Sequence, residues 1–115
     1  MRVLVCGGRN FRNHASVWGH LDKLHAKYHF TALIQGGAPG ADLLAKEWAR
    51  TKPGIKRYEC KAEWQLYGAA AGRRRNARML EWKPDLVVAF PGGVGTADMV
   101  RKAEAAGVRV IKLAA

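Results

Sequence analysis

What this sequence has little of narrows the possibilities first. Acids are scarce: nine Asp and Glu stand against twenty Lys and Arg, leaving a net charge of +11. That surplus argues for a polyanionic partner. No apolar run approaches the ~18 residues that a membrane helix needs. The opening MRVLVCGG has too short an apolar run for a signal peptide and reads as a buried strand, so a cytoplasmic protein is expected. Only two cysteines occur, which excludes a disulfide framework. Cys6 and Cys60 both lie in strand-like segments and read as free core thiols. HExxH is missing, and the four histidines (His14, His20, His25, His29) fall in one helical stretch. His25 and His29 have i,i+4 spacing but no third ligand nearby, so helix-surface histidines are expected and no metal. The GxGxxG fingerprint is absent from the first glycine loop and no GxxxxGK[ST] occurs, which disfavours NAD dehydrogenases and P-loop NTPases. Linkers, repeats and low-complexity segments are lacking too. At 115 residues and 49% hydrophobic content, residues 1–115 are expected to form a single globular domain.

What is present is a regular alternation. Arg2–Cys6, Thr31–Gln35, Ile55–Cys60, Asp85–Phe90 and Val108–Leu113 read as strands. Between them lie helical patterns at about His14–Tyr28, from Ala41 to before Pro53, at Ala69–Leu80, and from Thr96 to Ala106 with Gly107 as the stop. Ile55–Cys60 is charged enough to suggest an edge strand. Val3–Val5 and Leu86–Ala89 are continuously apolar, as strands buried on both faces are. The predicted fold class is therefore α/β: a Rossmann-like three-layer domain with a five-stranded, mainly parallel sheet and helices on both faces.

Three strands end in glycine loops: Gly7-Gly8-Arg9, Gly36-Gly37-Ala38-Pro39-Gly40-Ala41-Asp42, and Pro91-Gly92-Gly93-Val94-Gly95-Thr96. In a parallel sheet all three share the carboxyl edge, where ligands bind at the point of strand-order reversal. Glycine lets backbone N–H groups approach a phosphate, and a following helix N-terminus adds unpaired donors. Any one loop is equally well a tight turn; three at one edge point to a phosphorylated ligand. Arg9 suits a phosphate or ribose contact, or is a solvated loop residue. Thr96 is expected to cap the last helix and to offer its hydroxyl to a phosphate. Asp42 is suited to a ribose hydroxyl or to a helix cap. Trp64 could stack on a base or be buried. From Arg50 to Lys83 ten basic residues stand against three acids. There Arg74 and Arg78 share a helix face, while Arg75 is turned about 100° from Arg74. A basic helix tracking a single-stranded nucleic acid is the alternative to a small ligand.

The run Pro91–Thr96 resembles the PGGxGTxxE signature of the LOG (Lonely Guy) phosphoribohydrolases. GGAPGAD at Gly36–Asp42 is similar to the glycine loop of the wider SLOG superfamily, which includes the DNA-processing protein A family. The layout VCGGRNF, GGAPGADLLAKEWA, AEWQLYGAAAGRRRNARML and PDLVVAFPGGVGTADMV resembles most closely the small YspA/cpYpsA-related SLOG proteins. The resemblance implies a Rossmann-like domain binding a nucleotide or a nucleotide-derived, ADP-ribose-like molecule, and homodimers are common among LOG-like proteins. It implies that Arg75-Asn76 takes the place of the LOG Arg-Lys pair, with Arg75 toward phosphate. It also places Met99 where the LOG motif ends in its catalytic Glu. A thioether cannot act as a base or stabilise an oxocarbenium ion, so LOG-type hydrolysis is disfavoured. Arg75 and Asp98 remain the catalytic candidates; Asp98 is adjacent to the missing Glu but is expected to serve as a first-turn acid on the helix dipole.

Overall fold

The central strands are buried on both faces, and side chains at alternate positions sort into two cores. Val3, Val5, Leu33, Leu86 and Val88 point to one face of the sheet, and Leu4, Cys6, Ile34, Val87 and Ala89 to the other. The computed structural model describes residues 1–114. Its five strands are β1 (Arg2–Cys6), β2 (Ala32–Gln35), β3 (Lys56–Glu59), β4 (Leu86–Ala89) and β5 (Arg109–Lys112). All are parallel, in the order β3-β2-β1-β4-β5. The expected charged edge strand is at the edge: Lys56, Arg57 and Tyr58 of β3 are exposed.

The connections explain the layers. The helices α1 (His14–Tyr28) and α2 (Ala41–Arg50) carry the chain from β1 outward to β3. They pack Val17, Leu21, Ala45 and Trp48 on the first face. The helices α4 (Ala71–Glu81) and α5 (Val94–Ala105) carry it the other way and pack Met79, Met99 and Ala103 on the second face. Right-handed crossovers running in opposite directions must place their helices on opposite faces. The order reverses between β1 and β4, whose registers join Val5 to Val88 and Cys6 to Ala89. A crevice opens above that pair.

β1 has the expected bounds, and other boundaries depart from expectation. The strands β2 to β5 are each shorter than predicted by one or two residues, and flanking residues pair beyond the regular ladder: Phe90 N–H donates to the Cys6 carbonyl and Leu113 N–H to that of Ala89, each at 2.9 Å. The helix expected at Ala69–Leu80 begins later. Ahead of it stand a four-residue helix, α3 (Trp64–Tyr67), and a 3-10 turn, Gly68–Ala70. None of the α3 residues is buried, so no apolar periodicity announced it.

Candidate functional site

The crevice above β1 and β4 is a cavity of about 640 Å³. Its floor is the end of β1, with Cys6, Gly7 and Gly8, and one wall is the loop from Pro91 to Gly95 with Thr96. Gly8 N–H donates to the Pro91 carbonyl at 2.8 Å, which locks the first loop to the third. Arg9, Ala38, Asp42, Trp64 and Arg75 complete the set of sequence-predicted residues that line it. Gly36, Gly37, Gly40, Asn76 and Asp98 do not line it; they hold the site from behind.

The second loop shows how. Asp42 is buried, and its Oδ2 accepts the N–H groups of Gly36 (3.1 Å) and Ala38 (3.3 Å). It does not cap α2, whose N-cap is Gly40 without a side-chain bond; it lines the cavity while the loop holds its Oδ2. Burial pushes the Asp42 carboxyl up to about 6, against the pull of those N–H bonds and the Arg75 charge. Gly40 has φ +82°, and a Cβ there would collide with the Gly8 and Arg9 backbone, so the close approach of loops one and two requires glycine. Gly37 N–H donates to Gln35 Oε1 at 2.6 Å, and Gln35 Nε2 to Glu59 at 2.9 Å.

Helix α4 ties the second loop to the third. Arg75 Nη1 donates to the Gly36 carbonyl at 2.7 Å and Arg75 Nε to Asn76 Oδ1 at 3.1 Å. Asn76 Nδ2 donates to the Gly95 carbonyl and to Asp98 Oδ2, both at 3.1 Å. Asp98 also accepts from Arg101 and Lys102, each at 2.7 Å. Burial alone would raise the Asp98 carboxyl, but the bonds from Lys102 and Asn76 and the charges of Lys102 and Arg101 outweigh it and hold it below the usual carboxylate range.

Three expectations change here. Thr96 is not the cap of α5, because the helix starts at Val94 with Gly93 as its N-cap; Thr96 sits in the first turn on the cavity wall. Asp98 belongs to the second turn and serves an ion-pair network rather than the helix dipole. Met99 is fully buried in the second core, so the position of the LOG glutamate is a packing position in this chain.

Both cysteines are free and buried, and burial pushes the Cys6 thiol up to about 12, which leaves it a neutral wall group and no nucleophile. His25 Nδ1 accepts the Phe30 N–H at 3.0 Å. Arg78 pairs with Glu63 at 3.1 Å and Arg74 lies 4.3 Å over the Tyr67 ring, while Arg75 turns to the cavity. Trp64 is half-exposed on the cavity wall. Asn10, Phe11, Gly72, Met79 and Val94 also line the cavity and were not singled out. Asn10 and Phe11 follow Arg9 directly, and Val94 is an apolar residue exposed to 86% inside a glycine motif, a signal visible only once its exposure is known.

Fold and site together define a Rossmann-like α/β protein with glycine loops at its strand-order reversal. The chain belongs to the YspA, cpYpsA-related SLOG family, whose sequence model matches residues 1–67. Those residues hold the first two glycine loops. The chain is also 36% identical over 121 residues to the Gene 61 protein of Mycobacterium phage D29, an alignment covering 96% of this chain and 94% of that protein. Family membership carries nucleotide-related ligand binding in general. No helix among the described residues is long and apolar enough to cross a membrane.

Proposed function

We propose that residues 1–115 act as one nucleotide-binding domain that holds a phosphorylated nucleotide or an ADP-ribose-like molecule in the 640 Å³ cavity, as a sensor or sequestering module. The observation that carries the reading is the contrast among the glycines. Added carbons at Gly36, Gly40 and Gly92 would meet protein, whereas carbons at Gly93 and Gly95 would meet nothing within 4 Å. The first backbone N–H groups of α5 have no intrahelical partner and no side-chain cap, and they stand beside the cavity that Arg9 and Arg75 also line. Bare N–H donors at a helix start, joined by two arginines, suit the charge and oxygen geometry of a phosphate.

Binding, not hydrolysis, is the reading. Among the acids near the site, Asp42 holds the second loop through Oδ2, Asp98 is bound by three donors and does not line the cavity, and Met99 faces the core.

The test is a thermal-shift series with mononucleotides, ADP-ribose, NAD and cyclic dinucleotides, on the native chain and on Gly93→Val. Mass action raises stability by about 2.7 kcal/mol at a hundred times Kd. The expected result is stabilisation of the native chain by at least one ligand and none of Gly93→Val, whose fold should be intact because a Cβ at that position has no heavy atom within 4 Å. Failure of every ligand to stabilise the native chain sinks the reading.

A second reading rests on Arg73 and Arg74, which are exposed on α4 beside the cavity and form no ion pair among the described residues. They offer a single-stranded nucleic acid a backbone contact. Such a contact needs only charge, whereas the cavity demands a shape, so the small ligand stands first. A homodimer, common among LOG-like proteins, is compatible with either.

A further inference from the structure

The four tryptophans are not used alike. Trp18 Nε1 donates to the Leu44 carbonyl at 3.2 Å and its ring stacks on His14 at 4.4 Å. Trp48 Nε1 donates to Asp22 at 2.9 Å and its ring meets His25 edge-on. Trp82 packs on Tyr58 at 6.0 Å. Trp64 has no acceptor for its indole N–H and no aromatic or cationic partner among the described residues, and it is 51% exposed. A large apolar ring left half in water forgoes the stability that its burial would contribute.

Its place explains the cost. Trp64 opens α3, a helix that buries none of its four residues and contributes nothing to either core. What holds this helix is polar: Arg78 bonds Glu63 Oε1 at 3.1 Å and the Lys61 carbonyl at 3.0 Å, and Arg74 covers the Tyr67 ring. Tyr67 is thereby engaged, and Trp64 is the free ring. A Cβ on Gly72 would lie 3.6 Å from Trp64 Cη2, so the ring edge overhangs the first turn of α4. That is the turn before Arg75, and Trp64, Gly72 and Arg75 line one cavity.

We propose that Trp64 is the base platform of this cavity: a planar nucleobase stacks on its indole face while the phosphate lies on the Gly92–Gly95 loop. The proposal rests on the nucleotide reading and adds to it the part of the ligand that the glycine loops cannot recognise. Stacking on an aromatic ring is open to every base, because every base has a π-face; selectivity among bases then falls to polar groups at its edge. Val94 adds an exposed apolar surface to the same cavity and suits the uncharged half of the ligand.

The experiment measures affinities of the full chain, Trp64→Ala and Trp64→Phe for the four 5′-mononucleotides and ADP-ribose, with ribose 5-phosphate as the baseless control. The expected result is that the native chain prefers a base-bearing ligand over ribose 5-phosphate. Trp64→Ala should lose at least about tenfold in that affinity, within the range measured for base–aromatic stacking. It should leave the ribose 5-phosphate affinity and the melting temperature unchanged, and Trp64→Phe should recover most of the loss. Indole emission should fall when the base-bearing ligand is added to the native chain, with a smaller change in Trp64→Phe. Equal affinity of the native chain for ligands with and without a base overturns the platform while leaving the phosphate site standing, as does an unchanged affinity in Trp64→Ala. So does a change of oligomeric state in Trp64→Ala without a change in binding, which would make Trp64 a protein-contact residue. Failure of all these phosphates to bind the native chain removes the platform and the site together.

Discussion

Arg75 Nη1 stands 2.7 Å from the carbonyl oxygen of Gly36, so a side chain of α4 clamps the backbone of the second glycine loop across the mouth of the site. The clamp joins two elements thirty-nine residues apart, and it sets the orientation of the one guanidinium that both lines the cavity and touches a loop. Arg75→Ala should therefore weaken nucleotide binding by more than tenfold, since a charge-assisted hydrogen bond contributes about 1.5–3 kcal/mol and loop order is lost with it. Arg75→Lys should recover only part, because an ammonium cannot satisfy the Gly36 carbonyl, Asn76 and a ligand in one plane. Titration calorimetry with the best ligand checks both; native-like affinity in Arg75→Ala would show that the clamp is idle.

Asp42 predicts an unusual pH signature. Its carboxyl is raised to about 6 in the folded chain, so the folded state holds this proton more tightly than the unfolded one. The resulting stability is fully present below the unfolded value of about 4 and is lost as pH rises through about 6. Asp42→Asn can still accept the Gly36 and Ala38 N–H groups through its carbonyl oxygen and never ionises. Its melting temperature should exceed the native one at pH 7, and the difference should vanish by pH 4. A constant difference across that window would mean that burial is not what governs Asp42.

Asp98 runs the opposite way. Its folded-state pKa is depressed, so its contribution is present above the unfolded value and fades as pH falls through the folded one. Asp98→Ala strands Asn76, Arg101 and Lys102 around a nearly buried site. The charges left behind are solvated, since Arg101 is exposed and Lys102 partly so, and the buried Asn76 amide loses one acceptor; a loss of about 1–3 kcal/mol is expected in urea unfolding at pH 7.

Met99→Glu is the direct test of the LOG comparison. If the hydrolytic residue were merely missing, restoring it should restore base release from nucleoside monophosphates. Position 99 is fully buried among Leu4, Cys6, Met79 and Val87, so the new carboxylate would be placed in an apolar core. The expected outcome is loss of several kcal/mol of stability and no base release. Robust release from the native chain would refute the assignment of a binding role.

The nucleic-acid reading has its own signature. Fluorescence anisotropy of single-stranded DNA should show binding at low salt that falls steeply as salt rises, and Arg73→Ala with Arg74→Ala should weaken it evenly across sequences. Arg73→Ala alone should leave nucleotide stabilisation intact, since Arg73 does not line the cavity and, unlike Arg74, does not cover the Tyr67 ring of α3. Absence of any signal at low salt ends this reading.

Much of this was legible in the chain, and the physical reason is local. Continuous apolar runs at Val3–Val5 and Leu86–Ala89, glycines at strand ends and 3.6-residue periodicity between them are all properties of short segments, and they determined a parallel α/β fold with three glycine loops at one edge. The identity of residue 99 likewise excluded a carboxylate there without any coordinates. Tertiary structure decided what each polar residue does, because that depends on partners far away in sequence. Asp42 serves the loop six residues before it, Asp98 answers to Asn76 twenty-two residues away, and Arg75 to Gly36. Trp64 sits on a helix with no buried face, where no periodicity can say whether a ring is packed or free. Only the assembled crevice showed that it is free, and that it lines the same cavity as the glycine loops.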